Sequence, residues 1–213
     1  LLALLMLTGA VALAEEKITV AGVVFQDDQF MNMLSKGYRD AAEALGAEVF
    51  TENTNNDQAR EVELINTYLT QGVQGIAIAP LSKDASVAAL RAADAQGMKV
   101  TLTNIDLDSA EFIVGGFSSN DKLNCRLVGA TAAEIIKAKF PDKKVKIAIV
   151  QFRALLPDQS SARVEGYFEA LDEAGLDYEI VADQDAWMQD TALATADGIM
   201  IAQPELDVII AVN

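Results

Sequence analysis

The stretch DQAREVELINTYLTQGVQGIAIAP, residues 57–80, holds one full period of the pattern that decides the fold. Asp57 offers a side-chain oxygen at a helix start, where backbone N–H groups lack partners. Val62, Ile65 and Leu69 then recur at helical spacing and mark one apolar face. Gly72 stands just past that pattern, where glycine takes the left-handed conformation that ends helices. Gly75–Ala79 follows, apolar throughout, as expected of a parallel strand buried on both faces.

The same period recurs on either side. Candidate strands are Ile18–Phe25, Ala47–Thr51, Lys99–Thr103, Phe112–Gly116, Val145–Val150, Tyr178–Val181 and Val208–Val212. Leu34, Tyr38, Ala41, Ala42 and Leu45 mark a second helical face; Val164, Phe168, Leu171 and Ala174 mark a third. Gly46, Gly97 and Gly175 stand where Gly72 does, and Asp84 is a second candidate N-cap. This alternation predicts an α/β protein built on doubly wound parallel sheet. The units share no sequence motif, so the repetition is of supersecondary type and not a solenoid.

The rhythm breaks at Ile105–Glu111, where Asp106, Asp108, Ser109 and Glu111 form a polar stretch. We read it as the crossing between two lobes, residues 15–111 and 112–213. Val208–Val212 is a strand that should feed a helix, so the second lobe is expected to be incomplete. Residues 1–14 read as part of a signal peptide. Leu1–Leu13 is uncharged and rich in Leu and Ala, Ala12-Leu13-Ala14 is a small-x-small cleavage pattern, and Glu15-Glu16-Lys17 turns abruptly polar. Fourteen residues fall short of the roughly 20 that span a bilayer. Export is the expectation.

Composition excludes several functions. The chain carries 16 basic and 32 acidic residues, net −16, which disfavours nucleic acid as a partner. Cys125 is alone, so no internal disulfide framework exists; it reads as a structural thiol on a helix. The chain has no His, which removes Ser-His-Asp machinery and His-ligated metals. Val24-Phe25-Gln26-Asp27-Asp28, after the first strand, is no phosphate cradle. Asp27 and Asp28 could pair as acid and base, but nothing supplies a nucleophile. No cofactor is expected, and no enzymatic activity.

In open α/β sheets ligands bind beyond the carboxyl ends of the strands. Those ends read Gln26–Phe30, Asn53, Pro80-Leu81, Asn104-Ile105-Asp106, Ser118-Ser119-Asn120, Gln151-Phe152-Arg153, Asp183–Trp187 and Asn213. Amides, carboxylates and arginine forks hydrogen-bond hydroxyls in pairs, and aromatic faces cover the C–H face of a sugar ring. Asn and Asp also make turns at strand ends, so the combination carries more weight than any member. It suits a neutral polyhydroxylated ligand.

These residues resemble the periplasmic sugar-binding proteins of the ribose type, which feed ABC importers, from Lys17 to Asn213. Gln29-Phe30-Met31 after the first strand resembles the family's Asn-Pro-Phe-Phe loop, and residues 71–80 resemble its third-strand segment. Ser160-Ser161-Ala162-Arg163-Val164-Glu165-Gly166-Tyr167 matches its Ser-x-x-Arg-x-x-Gly-aromatic signature, and residues 208–213 resemble the strand that ends in Asn-Asp. The resemblance implies two α/β lobes closing on one sugar. It also implies Asp28 as hydrogen-bond acceptor, Phe30 and Trp187 as stacking rings, Arg163 as a fork onto ring oxygens, and Asn104, Asp106 and Asn213 as further ligand-binding residues. Its partners would be ABC permease subunits in the membrane and a chemoreceptor, with the protein itself a periplasmic monomer. Asp28 replaces the family's usual Asn, Met31 its second Phe, Asn104-Ile105 its Asp-Arg, and Ala79 a frequent Asn. Another pentose, a hexose or a polyol therefore fits as well as ribose. The lactose-repressor family shares the fold but predicts a helix-turn-helix where Leu1–Ala14 stands. An enzyme or a sensor ectodomain on the same fold are the other classes.

Overall fold

The computed structural model describes residues 17–105, 107 and 110–213. Its elements run β1 (Thr19–Val24), α1 (Gln29–Ala44), β2 (Glu48–Asn53), α2 (Gln58–Thr70), β3 (Gly75–Ile78), α3 (Lys83–Ala95), β4 (Lys99–Thr103), β5 (Ile113–Phe117), α4 (Asp121–Lys139), β6 (Val145–Gln151), α5 (Pro157–Glu173), β7 (Tyr178–Asp185), α6 (Gln189–Ala202) and β8 (Val208–Ala211). The chain divides after Ser118 into two compact units. The signal-peptide reading of residues 1–14 falls outside the described residues.

Unit 1 carries a parallel sheet in the order β2-β1-β3-β4-β5. Because β2 lies on one side of β1 and β3 on the other, the strand order reverses there, and the carboxyl ends of β1 and β3 flank a switch point. The core is Val23, Ile65, Ile76, Ile78, Leu90 and Val100, all buried, joining the sheet to α2 and α3. On the opposite face α1 lies so close to β1 that a Cβ on Gly22 would stand 2.6 Å from the Tyr38 ring. Only glycine fits that contact. Gly46, Gly72, Gly97 and Gly175 all have positive φ, as their position past each helix predicts.

Unit 2 carries a parallel sheet in the order β7-β6-β8, so β6 is its switch strand. Ile147, Ile149, Phe168 and Leu171 form the core between sheet and helices, with Ala133 and Ile136 of α4. Ala148 and Val150 point the other way, onto Ile199 of α6. Alternate β6 residues thus bury opposite faces, which is why the strand reads as continuously apolar.

Two readings of the sequence change. The polar stretch Ile105–Glu111 joins β4 to β5, and β5 pairs with β4 in the first sheet. It is therefore a connection within unit 1, and the strand assigned to a second lobe at residue 112 belongs to the first. Buried Ile105 and Leu107 anchor it, an apolar minority hidden among acidic neighbours. The N-cap of α3 is Ser82, whose hydroxyl accepts from the Ala85 N–H at 3.3 Å; Asp84 lies in the first turn instead.

Candidate ligand-binding site

At the carboxyl end of β1, Asp28 caps α1. Its Oδ1 accepts from the Met31 N–H at 2.7 Å and its Oδ2 from Gln26 Nε2 at 2.5 Å. Both oxygens are engaged, so part of this residue's task is structural. Gln26 is 6% exposed, and its Oε1 meets no donor among the described residues. A buried amide oxygen at the switch point is an acceptor set out for a hydroxyl or a water. Phe30, in the first turn of α1, is 58% exposed. Met31, where the resemblance places a second aromatic ring, is buried instead. Asn104, just past β4, takes a left-handed conformation (φ 70°) while its N–H donates to Phe117 O at 2.9 Å. Asparagine tolerates that backbone better than most residues, so it too has a structural task. Asp106 lies outside the described residues.

A residue the sequence reading missed stands behind this edge. Glu61 of α2 is fully buried. Its Oε2 accepts from the Leu81 N–H at 2.8 Å, and its Oε1 accepts from Gln58 Nε2 at 2.9 Å and from the Ser86 hydroxyl. A buried carboxylate survives only when hydrogen bonds replace its water, and these tie α2, α3 and the turn after β3 together. Glu61 falls in register with buried Ile65 and Tyr68. A charge within an apolar stripe was the available signal.

In unit 2 the centre of the carboxyl edge is Arg163 on α5. Its Nε donates to Asp121 Oδ1 at 2.9 Å, its Nη1 donates to Val212 O at 2.9 Å, and its guanidinium lies 4.9 Å from the Phe152 ring centroid. One side chain thereby joins the start of α4, the end of β8 and the end of β6. These bonds use two of the five donors an arginine carries. Asp121 is held in turn, because the Ser119 hydroxyl donates to the same Oδ1 at 3.0 Å. Trp187, after β7, packs partly buried against the unit's core, and its carbonyl accepts from Asn213 Nδ2 at 3.0 Å. Arg163, Phe152 and the end of β8 therefore come together, and Asn213 meets Trp187 at the end of β7.

The rest of the Ser-x-x-Arg-x-x-Gly signature supports that cluster. Ser160, fully buried three residues before Arg163, accepts from the Phe152 N–H at 3.2 Å and donates to Gln151 Oε1 at 2.9 Å. Gln151 Nε2 donates to Asp183, which also meets Arg153 at 3.4 Å. The turn after β6, which carries Phe152, is thus fixed by the buried Ser160 hydroxyl and the Gln151 side chain.

Burial pushes the Cys125 thiol above its ordinary pKa, against the opposing pull of Arg163, so it is a poor nucleophile. Among the described residues no cluster of three His, Cys, Asp or Glu could hold a metal ion, and no helix is long and apolar enough to cross a membrane. A groove of about 840 Å³ lies at the amino edge of the unit 1 sheet, lined by residues such as Ile18, Tyr38, Leu45 and Gly75. It includes none of the candidate residues.

Two parallel sheets, each reversing its strand order at one strand and carrying amide, carboxylate and aromatic groups at its carboxyl edge, define the class as doubly wound α/β. A family model described as a periplasmic binding protein domain matches residues 18–213, and the chain belongs to that family. It is 25% identical over 215 residues to the ABC transporter periplasmic-binding protein YphF of Escherichia coli, covering 98% of this chain and 65% of that protein. It is 24% identical over 192 residues to the D-apiose import binding protein of Actinobacillus succinogenes, covering 88% and 58%. Both relatives extend well beyond the length this chain spans. The Caulobacter myo-inositol binding protein bound to myo-inositol has the same fold, at a TM-score of 0.75 and 19% identity, over 91% of this chain and 65% of that one.

Proposed function

We propose that this chain is the ligand-capturing part of a periplasmic substrate-binding protein that delivers a neutral sugar or polyol to an ABC importer. The observation that carries the reading is Arg163. Its guanidinium is aligned at the carboxyl edge of unit 2 by Asp121, Val212 O and Phe152, which prepares its remaining donors for hydroxyl oxygens. Trp187 supplies a ring in the same unit. Unit 1 presents at its own carboxyl edge the acceptor Gln26, the carboxylate of Asp28, the exposed ring of Phe30 and, at the end of β4, Asn104. Asn213 completes the set in unit 2, and Asp106 joins it from the resemblance alone.

In this reading the role is capture: the chain has no His, and among the described residues the carboxyl edges present hydrogen-bonding groups without an activated nucleophile. The partners are permease subunits in the membrane and, for signalling, a chemoreceptor. Export by a cleaved signal peptide and a monomeric periplasmic state complete the reading.

The test is a thermal-shift screen of the full-length protein against sugars and polyols, with D-apiose and myo-inositol among the probes. A ligand at about 100 times its Kd adds about 2.7 kcal/mol of stability. Arg163→Ala should weaken the bound ligand about 100-fold, the loss of two charge-assisted hydrogen bonds. No shift across the panel, or an unchanged affinity in Arg163→Ala, overturns the reading.

A further inference from the structure

We infer that Gly166 is the positioning residue for Arg163: it lets α4 approach α5 closely enough for Asp121 to grip the guanidinium. The inference rests on Arg163 being a ligand contact.

The geometry is specific to glycine. A Cβ built on Gly166 would collide with the carbonyl of Lys122 and come within 2.9 Å of Lys122 C and 3.1 Å of Arg126 N. These are backbone atoms, which cannot swing aside as a side-chain end can. Lys122 is the residue next to Asp121, and Gly166 lies one helical turn beyond Arg163 on the same face of α5. The contact that forbids a side chain at 166 therefore sits directly beside the 2.9 Å bond between Arg163 and Asp121. Moving α4 outward by one methyl radius would open that bond past hydrogen-bonding length. Farther along, Gly129 of α4 makes the reciprocal contact, where an added Cβ would stand 2.6 Å from Tyr167 O and 3.0 Å from Ala170 Cβ. Two glycines, one on each helix, thus set the seam.

On its inner side the seam shares the core of Ala133, Ile136, Phe168 and Leu171; on its outer side it carries exposed ion pairs, Lys122 with Glu165 and Glu169, and Arg126 with Glu173. Exposed pairs of this kind contribute little and adapt readily to a displaced helix. They do not fix a separation to a few tenths of an ångström; backbone-on-glycine contact does. The signature reads accordingly as one device on one helix face. Ser160 fixes Phe152 under the guanidinium, Arg163 carries it, and Gly166 seats Asp121 against it.

The test compares Gly166→Ala and Gly129→Ala with Ile199→Ala in the full-length protein. Ile199 lies on the buried face of α6, packed with Ala148 and Val150 of β6 and away from the seam, so its variant reports loss of stability alone. The readouts are the Arg163 Nε–H resonance, identified by its loss in Arg163→Lys, and affinity for whichever sugar or polyol shifts the wild-type melt. We expect both seam variants to lose the resonance from its hydrogen-bonded position and to bind at least about tenfold more weakly, the cost of one charge-assisted bond. Ile199→Ala should keep both. Should Gly166→Ala fail to fold, Gly129→Ala, with the milder overlap, carries the test. Seam variants that retain the resonance and the affinity overturn the inference, as does an Ile199→Ala that loses as much. If Arg163→Ala leaves binding intact, the functional reading fails first, and the resonance alone then decides the role of Gly166.

Discussion

The carboxyl edges of the two units are built on opposite plans. In unit 1 the candidates are tied to their own element or its nearest neighbour. Asp28 caps the helix it precedes, Asn104 bonds the adjacent strand, and Phe30 stands out from the first turn of α1. Their positions depend on local backbone, buttressed from behind by Glu61. In unit 2 the candidates are cross-ties. Arg163 spans three elements and Asn213 reaches back to Trp187. Changing a unit 1 residue should therefore separate binding from stability, whereas in unit 2 the two should fall together. The buttresses differ as well: unit 1 uses a buried carboxylate, unit 2 the neutral pair Gln151 and Ser160.

That last contrast gives the largest expected effect on stability. Glu61→Ala leaves the Leu81 N–H and the Ser86 hydroxyl without their acceptor and opens a cavity, at a cost of about 3 kcal/mol. Ser160→Ala removes a smaller, neutral group but leaves the Phe152 N–H and Gln151 Oε1 unpaired, and should cost about 2 kcal/mol. Urea unfolding reads the difference. Trp187 is the chain's one tryptophan and lies in unit 2, so its fluorescence follows that unit, while far-ultraviolet dichroism follows both. Glu61→Ala should shift the dichroism midpoint more than the fluorescence midpoint, and Ser160→Ala should do the reverse. Equal shifts by both probes in both variants would show that the buttresses are not local to their units.

Much of this plan was legible in the sequence because local chemistry dictates it. The four glycines ending helices have the positive φ their positions demand, and Asp57 caps α2 through the N–H groups of Ala59 and Arg60. All eight expected strands are present, but β2 runs on to Asn53 and β7 to Asp185, past where the apolar runs stop, because pairing with β1 and β6 continues there. What depends on distance along the chain was not legible. Asp121 meets Arg163 across 42 residues, and nothing in either segment announces the other. The polar stretch at Ile105–Glu111 misled because composition cannot say whether a connection leaves a sheet or returns to it. Glu61 was hidden by the expectation that charge faces solvent.

A smaller effect tests how far Asp28 is a cap. Asparagine caps helices as well as aspartate does, and alanine does not. Asp28→Asn keeps the cap, and Gln26 can turn its amide to meet the new Nδ2–H with Oε1, so it should stay within a few tenths of a kcal/mol of the wild type, while Asp28→Ala loses about 1 kcal/mol. If ligand affinity falls in Asp28→Ala and holds in Asp28→Asn, the residue acts on ligand through the loop it shapes. An affinity that falls equally in both assigns to the ligand the carboxylate together with the Gln26 amide it orients. Either result measures how much of the unit 1 edge is scaffold.

Phe30 gives the smallest expected change and the cleanest separation. Its ring is 58% exposed, so it contributes little to the core, and alanine is a better helix former than phenylalanine. Phe30→Ala should leave the melting temperature unchanged or slightly raised. A ring stacked on a sugar face contributes about 1 kcal/mol beyond area burial, so affinity should fall about fivefold. Calorimetric titration with a ligand found in the thermal-shift screen measures the second quantity, and a melt without ligand measures the first. Affinity lost at constant stability is the behaviour that unit 2, with its cross-ties, cannot show for Arg163. Stability lost in Phe30→Ala would mean that the ring packs in the protein, and the contrast between the two edges would then not hold at this position.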